Sequence, residues 1–317
     1  MLAAILNPTP DAIPVPGTFP EPEATPGYQI VELVASGIHH ITRRVATGQH
    51  YGSAASAEPI VPGLEGVART EDGPLVYTGY PREPYGMLAE RIPVPDRMAF
   101  PLPEGADPVA IAGGVNPGVS SWLPLRQAGR LGTVIVVGAT GVAGQMAVAN
   151  ARLLGAGRVI ALGRSREALA ALPDGTVTIP LTGDKQADVS AIRDAIGNDS
   201  PTMVLDYIWG TAAETVFAAL QSHGLDEVEG ETRYMQIGSA GGSEAMLPDS
   251  LLRARPIAIA GSGAGSVSTE TLMREIPAYI DILARGDVTL RTRTYRLSDV
   301  AAAWMDTTPG VRAVVVP

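Results

Sequence analysis

Cysteine is absent from all 317 residues. Its absence excludes disulfides, thiolate-bound zinc and cysteine nucleophiles together. Positive charge is scarce: 23 Lys+Arg stand against 33 Asp+Glu, which argues against a nucleic-acid-binding surface. No stretch approaches the roughly eighteen consecutive apolar residues of a membrane span. The N-terminus lacks the basic start and long apolar core of a secretion signal. We therefore expect a cytoplasmic chain with neither a nucleic-acid nor a membrane partner. Internal repeats are also missing. Present instead are 45% apolar residues, ample for an ordinary core, on a length that suggests two domains at about 150 residues each. The 27 prolines and 36 glycines are spread out and punctuate short strands and turns.

The chain changes character along its length. Residues 1–108 carry short apolar runs broken by Pro and Gly, such as Gln29–Ala35, Pro74–Tyr77 and Met87–Val94, the pattern of a β-rich domain. The Pro-dense segment Asn7–Gly27 is expected to wrap over the surface. Residues 109–285 alternate strand and helix. Candidate parallel strands are Thr133–Val137, Arg158–Leu162, Val177–Ile179, Met203–Asp206, Tyr234–Ile237 and Ile257–Ala260, with helices at Gln145–Leu154, Ala187–Ile196, Thr211–Leu220 and Thr269–Arg285. Six such strands with helices between them predict an α/β fold with a doubly wound parallel sheet. Residues 286–317 turn β-like again at Thr289–Tyr295 and Ala313–Val316, and are expected to complete the first domain.

The most informative stretch joins the first two parallel strands. Thr133–Val137 runs into Gly138-x-x-Gly141-x-x-Gly144 and then a helix, the start of a dinucleotide-binding unit. The first glycine permits the turn, the second lets backbone approach a diphosphate, and the third lets helix pack on strand. Gly138, Thr140, Gly141, Val142, Ala143 and Gly144 are the candidate phosphate contacts, because free N–H groups at a helix N-terminus bind anions. The second strand indicates which nucleotide. An NAD site places Asp or Glu near its end to bond the ribose 2′-hydroxyl; here stand Gly163, Arg164 and Ser165. A carboxylate would repel a 2′-phosphate, whereas guanidinium and hydroxyl attract one. The expected cofactor is NADP(H), with Arg164 as its main 2′-phosphate contact.

Several segments resemble the medium-chain dehydrogenase/reductase superfamily, and within it the zinc-free, quinone-oxidoreductase-like branch. They are Val61-Pro62-Gly63-Leu64-Glu65-Gly66-Val67, Tyr85–Glu90 with Val94-Pro95 and Pro101–Pro103, Asn116–Trp122, and the glycine turn. The resemblance implies a GroES-like β-rich catalytic domain with a Rossmann coenzyme domain, an active site in the cleft between them, and a homodimer or tetramer. It implies cofactor contacts from Asn116 and Ser120, from Asp206 at the adenosine edge, and from Ile237, Gly238, Ser239, Ser262 and Gly263 near the carboxamide. The three catalytic-zinc slots of the family's zinc enzymes hold His39, Leu64 and Asn116 here. Only one is a zinc-ligand type and catalytic zinc needs three, so no metal is expected. A His39/His40/Glu65 site is disfavoured because adjacent residues on a strand point to opposite faces.

Without a Lewis acid, reducing a quinone or the C=C bond of an activated enone is easier to arrange than reducing a ketone, and is what the branch does. The candidate hydrogen-bond donors or acids are Tyr51, His39 and His50, with a small quinone or carbonyl compound as substrate. Two alternatives stay open: a metal-free NADPH-dependent alcohol dehydrogenase or ketoreductase, and a non-catalytic NADPH-binding sensor or structural relative.

Overall fold

The structure, a computed structural model, describes residues 1–53, 58–221, 230–263 and 265–317. In chain order it begins with β1 (Leu2–Ile5), β2 (Val15–Thr18), β3 (Tyr28–Gly37), α1 (His40–Ala46), β4 (Glu65–Arg69), β5 (Leu75–Gly79), β6 (Arg91–Pro95), β7 (Phe100–Pro101) and α2 (Pro108–Ala128). The middle holds β8 (Thr133–Val137), α3 (Val142–Leu153), β9 (Arg158–Gly163), α4 (Arg166–Ala170), β10 (Val177–Pro180), α5 (Lys185–Ile196), β11 (Met203–Asp206), α6 (Gly210–Leu220), β12 (Thr232–Gln236), α7 (Asp249–Ala254) and β13 (Ile257–Gly261). It closes with α8 (Thr269–Ala284), β14 (Arg291–Arg296), α9 (Val300–Met305) and β15 (Val311–Val316). Among the described residues no helix is long and apolar enough to cross a membrane.

Two compact units result, Met1–Asn116 with Ile276–Pro317, and Pro117–Glu275. These divisions fall inside the continuous helices α2 and α8, whereas the breaks in sequence pattern at 108/109 and 285/286 lie where α2 begins and just after α8 ends.

The first unit is β-rich. Its larger sheet runs β14-β15-β3-β4-β5-β7, with β6 also paired to β3. β3 alternates as a half-buried strand should: Val31, Leu33 and Ala35 are buried while Glu32 is exposed. Val31 and Leu33 pack with Ile38, Met87, Leu88, Ile92, Trp304 and Val315. β15 pairs with Ser36 and Gly37 at the end of β3, so the C-terminal strand does complete this sheet. Asn7–Gly27 is mostly exposed, as expected of a segment that wraps over the surface, and within it β2 pairs with β1. One expectation is corrected: the strand expected over Met87–Val94 is confined to Arg91–Pro95. Met87 and Leu88 instead donate to the carbonyls of Gly63 and Pro62, bonds a regular ladder does not supply.

The second unit holds a six-stranded parallel sheet in the order β10-β9-β8-β11-β12-β13. By sequence of strands this is 3-2-1-4-5-6, the doubly wound order. All five residues of β8 are buried, as a central parallel strand covered on both faces requires. Its carboxyl end therefore lies where the strand order reverses, the place where such sheets bind ligands.

Candidate functional site

β8 delivers the chain to Gly138, whose φ of 87° only glycine adopts without strain. The amides of Gly138 and Ala139 donate to Leu162 O at 3.0 and 2.9 Å, tying the turn to β9. Gly144 is fixed by packing: a Cβ there would collide with the Gly138 carbonyl oxygen and lie 2.7 Å from Ala139 Cα. Gly141 differs. It is exposed and has φ −77°, and a Cβ on it would meet only Gly138 O, at 3.7 Å. The missing side chain leaves open space above the turn. Gln145 N makes the first helical bond, to Gly141 O at 2.8 Å. The amides of Val142, Ala143 and Gly144 thus have no acceptor within α3, and no side chain caps the helix. Three aligned donors at an open, positive helix end fit a diphosphate. Thr140 turns its methyl toward β9, where a Cβ on Gly163 would lie 2.6 Å from Thr140 Cγ2. Gly163 is therefore packed closely against Thr140.

Arg164 and Ser165 are exposed just beyond β9. Ser165 Oγ accepts from Ala168 N at 3.1 Å and caps α4, leaving its hydroxyl proton free to donate. The nearest following acid is Glu167, already inside α4. A guanidinium and a hydroxyl without a carboxylate suit a 2′-phosphate.

The carboxyl ends of the next strands behave otherwise. Asp206 has no exposed surface. Its Oδ1 accepts from Ile208 N at 2.8 Å and Trp209 N at 3.0 Å, and its Oδ2 from the Tyr234 hydroxyl at 2.6 Å. Burial raises its pKa, against the lowering effect of those bonds. Asp206, expected at the adenosine edge, is buried and clamps the turn that carries Trp209, whose φ is 60°. Trp209 packs edge-on against Phe217 and Tyr234 and lines a groove of about 370 Å³ with Gln236, Ser243, Ile259, Ala260 and Gly261. The strand-end amides expected near the carboxamide have partners within the protein. The amides of Ile237 and Gly238 donate to Asp206 O, that of Ser262 to Gln236 O, and that of Gly263 to Ser266 Oγ. Those donors are spent within the protein. Ser239 stands half-buried in the same turn. Ser120 donates to Pro117 O at 2.6 Å and lies 3.1 Å from the Tyr207 hydroxyl. Burial pushes that phenol up to about 12, with Ser120 and Ser121 pulling the other way. Tyr207, between Asp206 and Ile208, escaped the sequence reading because nothing local tells a turn tyrosine from a packing one.

A second polar cluster forms in the first unit. β3 ends at Gly37, and Ile38 is tied to β15 through Ala313 O at 2.9 Å. The chain then turns into α1. His39 is its N-cap and not a strand residue, and its N–H donates to Thr42 Oγ1 at 3.3 Å. His40, the first helical residue, is exposed, whereas His39 is 3% exposed. Nε2 of His39 lies 3.0 Å from Glu65 Oε1. Asn116 Nδ2 donates to Glu65 Oε2 at 3.3 Å, and burial first, then the Glu65 carboxylate, pushes the Tyr77 phenol well above its ordinary value. Burial first, then Arg312, lowers the His39 pKa, and Glu65 opposes both. Arg43 anchors α1 by donating to Trp304 O at 2.9 Å and Asp306 O at 3.1 Å. Asn116, expected at the cofactor, is engaged here with Glu65. Leu64 is half-buried and apolar. Among the described residues no group of three His, Cys, Asp or Glu is placed to hold a metal ion.

Tyr51 lies elsewhere. Its side chain is 83% exposed and rests against the His50 ring, 4.1 Å between centroids. His50 Nδ1 accepts from Gly52 N at 3.1 Å. Expected as the best-placed phenol, Tyr51 is not enclosed by the fold, because the turn after α1 carries it outward.

No family model matches the chain. A probable NADPH-dependent quinone reductase of Emericella nidulans is 32% identical over a 365-residue alignment that covers all of both chains. Among solved structures, the quinone oxidoreductase of Thermus thermophilus is 25% identical, covers 100% of each chain and superposes with a TM-score of 0.79. A 2-haloacrylate reductase at 20% identity and TM-score 0.80, covering 100% of this chain and 99% of its own, shares the fold. With whole-length identity at this level and a β-rich unit joined to a 3-2-1-4-5-6 sheet, the chain belongs to the quinone-oxidoreductase-like branch of the medium-chain dehydrogenase/reductase superfamily.

Proposed function

We propose that this chain is an NADPH-dependent reductase that acts, without zinc, on a quinone or on the C=C bond of an activated enone. One observation carries the reading: the uncapped N-terminus of α3 above an open Gly141, followed after β9 by Arg164 and Ser165 with no carboxylate. The relatives support it. One is a probable NADPH-dependent quinone reductase, and the Thermus thermophilus quinone oxidoreductase was solved in complex with NADPH. The zinc-free part rests on ligand chemistry. An apolar Leu64 and an amide at Asn116 fill two of three slots in a chain without cysteine, and three protein ligands are needed.

Bound NADPH would supply a hydride. The amides of Val142, Ala143 and Gly144 hold a diphosphate, and Arg164 and Ser165 hold a 2′-phosphate. The substrate oxygen gains negative charge as its conjugated system is reduced, and a donor on the protein stabilises it. His39 is the favoured candidate, because a desolvated donor acts through a lower effective dielectric than an exposed one. Tyr51 competes with water at its exposed position, and His50 already uses Nδ1. A homodimer belongs to the same reading: β13 is the free edge of the parallel sheet with Ala258, Ala260 and Gly261 exposed, and an edge strand pairs readily with a second copy.

The test is NADPH oxidation against a panel of quinones, enones, saturated ketones and aldehydes, with and without a chelator. Quinones or enones are expected to be turned over best and chelation to change nothing. Saturated ketones outperforming enones would establish the alcohol-dehydrogenase alternative, and no turnover of any substrate the binding protein.

A further inference from the structure

We propose that Gln145 is a positioning residue for the cofactor: its side-chain amide locks the peptide plane between Thr140 and Gly141, so that the glycine turn meets the diphosphate in one fixed shape. The inference rests on the nucleotide-binding part of the reading above.

The start of the turn is anchored to β9. The amides of Gly138 and Ala139 donate to Leu162 O. Thr140 is wedged by its methyl, which would lie 2.6 Å from a Cβ on Gly163. The next link is the Thr140–Gly141 peptide. Its N–H donates to Gly138 O at 3.2 Å, at the long end of the range for such bonds. Its C=O points the opposite way, as a trans peptide requires, and accepts from Gln145 Nε2 at 3.0 Å. Gln145 is the fourth residue of α3, where a side chain leans back toward the helix N-terminus. It grips the turn a second time through its own N–H, which donates to Gly141 O at 2.8 Å.

This peptide is the one that a glycine leaves free to turn over. Such a rotation changes ψ of Thr140 and φ of Gly141 together and keeps the peptide itself planar. It carries φ of Gly141 from −77° to a positive value, which glycine adopts readily. Nothing crowds the residue, since a Cβ on Gly141 would meet only Gly138 O, at 3.7 Å. The same lack of a side chain that lets a diphosphate approach therefore removes the resistance to turning. Once turned, Gly141 N leaves Gly138 O and Thr140 O leaves the Gln145 amide. A turn with two shapes binds through one of them, and its apparent Kd rises as the competent fraction falls. Gln145 holds that fraction near one with a bond that no other described side chain makes to Thr140 O.

The experiment titrates full-length wild type, Gln145→Met, Gly141→Ala and the double variant with NADPH and with NADH by calorimetry, without a second substrate. Methionine keeps the length and helix preference of glutamine and removes the donor. Gln145→Met is expected to weaken both nucleotides by the same factor, about three- to tenfold, because the diphosphate is common to them. In the Gly141→Ala background the same change is expected to cost less than about twofold, since alanine resists a positive φ by itself. Hydrogen exchange reads the turn with no nucleotide bound. The Gly141 amide is expected to exchange faster in Gln145→Met than in wild type, with the Gly138 and Ala139 amides unchanged. Full affinity in Gln145→Met, a loss confined to NADPH, or equal losses in both backgrounds overturns the proposal, and so does an unchanged exchange rate at Gly141. A wild type that binds NADPH and reduces no quinone or enone overturns the reductase reading alone. One that binds neither nucleotide overturns both.

Discussion

The glycine turn of the second unit and the His39–Glu65 cluster of the first are built in opposite ways. The turn and the exposed pair after β9 lie within residues 138–165 and offer mostly backbone amides at one open helix end. The cluster gathers residues 39, 65, 77, 116 and 312 from β4, β5, α2, β15 and the start of α1. It is buried and built from side chains. A backbone site tolerates many side chains but few added Cβ atoms. A buried side-chain site depends on partners that offset the cost of desolvating its charges.

That contrast can be broken or sharpened, and the largest effect belongs to the turn. Gly144→Val forces a side chain against the Gly138 carbonyl and should cost about 3 kcal/mol or more of stability, read by denaturant unfolding. Gly141→Ala meets no such wall; its stability should change by roughly 0.5 kcal/mol or less, with NADPH affinity falling. If both glycines prove equally costly to the fold, the open space above Gly141 has been misjudged. Next in size, His39→Ala should reduce kcat on a quinone by about 10²-fold or more. Tyr51→Phe, at an exposed site, should fall well short of that in the same assay. The reverse order would move the donor from the buried cluster to the surface.

Arg164→Ala should weaken NADPH by about 1.5–3 kcal/mol, the size of a charge-assisted bond, and leave NADH unchanged in a titration. Equal loss for both cofactors would show that Arg164 supports the turn and does not read the 2′-phosphate. The smallest effect is acid sensitivity. Burial holds the pKa of His39 below the ordinary value. The unfolded chain therefore binds more protons than the folded one once pH falls below about 6.5, and stability declines there. Asp306, lowered to about 2 by Thr308 and other donors, contributes a loss only at much lower pH, below its unfolded value. Thermal unfolding of His39→Gln between pH 7.5 and 5 should be flatter than wild type. An unchanged slope would remove His39 as the source.

The parallel sheet was legible because each buried strand is a short β-branched run between helices with clear stops. Thr133–Val137 and Met203–Asp206 are recovered without a shifted residue. The exposed place of Arg164 and Ser165 just after β9 was legible because it depends only on following one strand by a fixed distance. Ser165 shows the limit, since the same hydroxyl also caps α4.

Elsewhere tertiary structure decided. Asp206 and Tyr51 carried the right residue types for a site, and burial enclosed the one while exposure released the other. Glu65 was weighed beside His39 only as part of a metal site, on the premise that His39 and His40 share a strand, whereas His39 is the N-cap of α1 and lies 3.0 Å from Glu65. The sequence alone determined the strand–turn–helix and the cofactor chemistry at its end, because backbone conformation and nearest neighbours are local. Which carboxylate faces which imidazole depends on strand pairing between distant segments, where burial and desolvation are settled only once β3, β4 and β15 have come together.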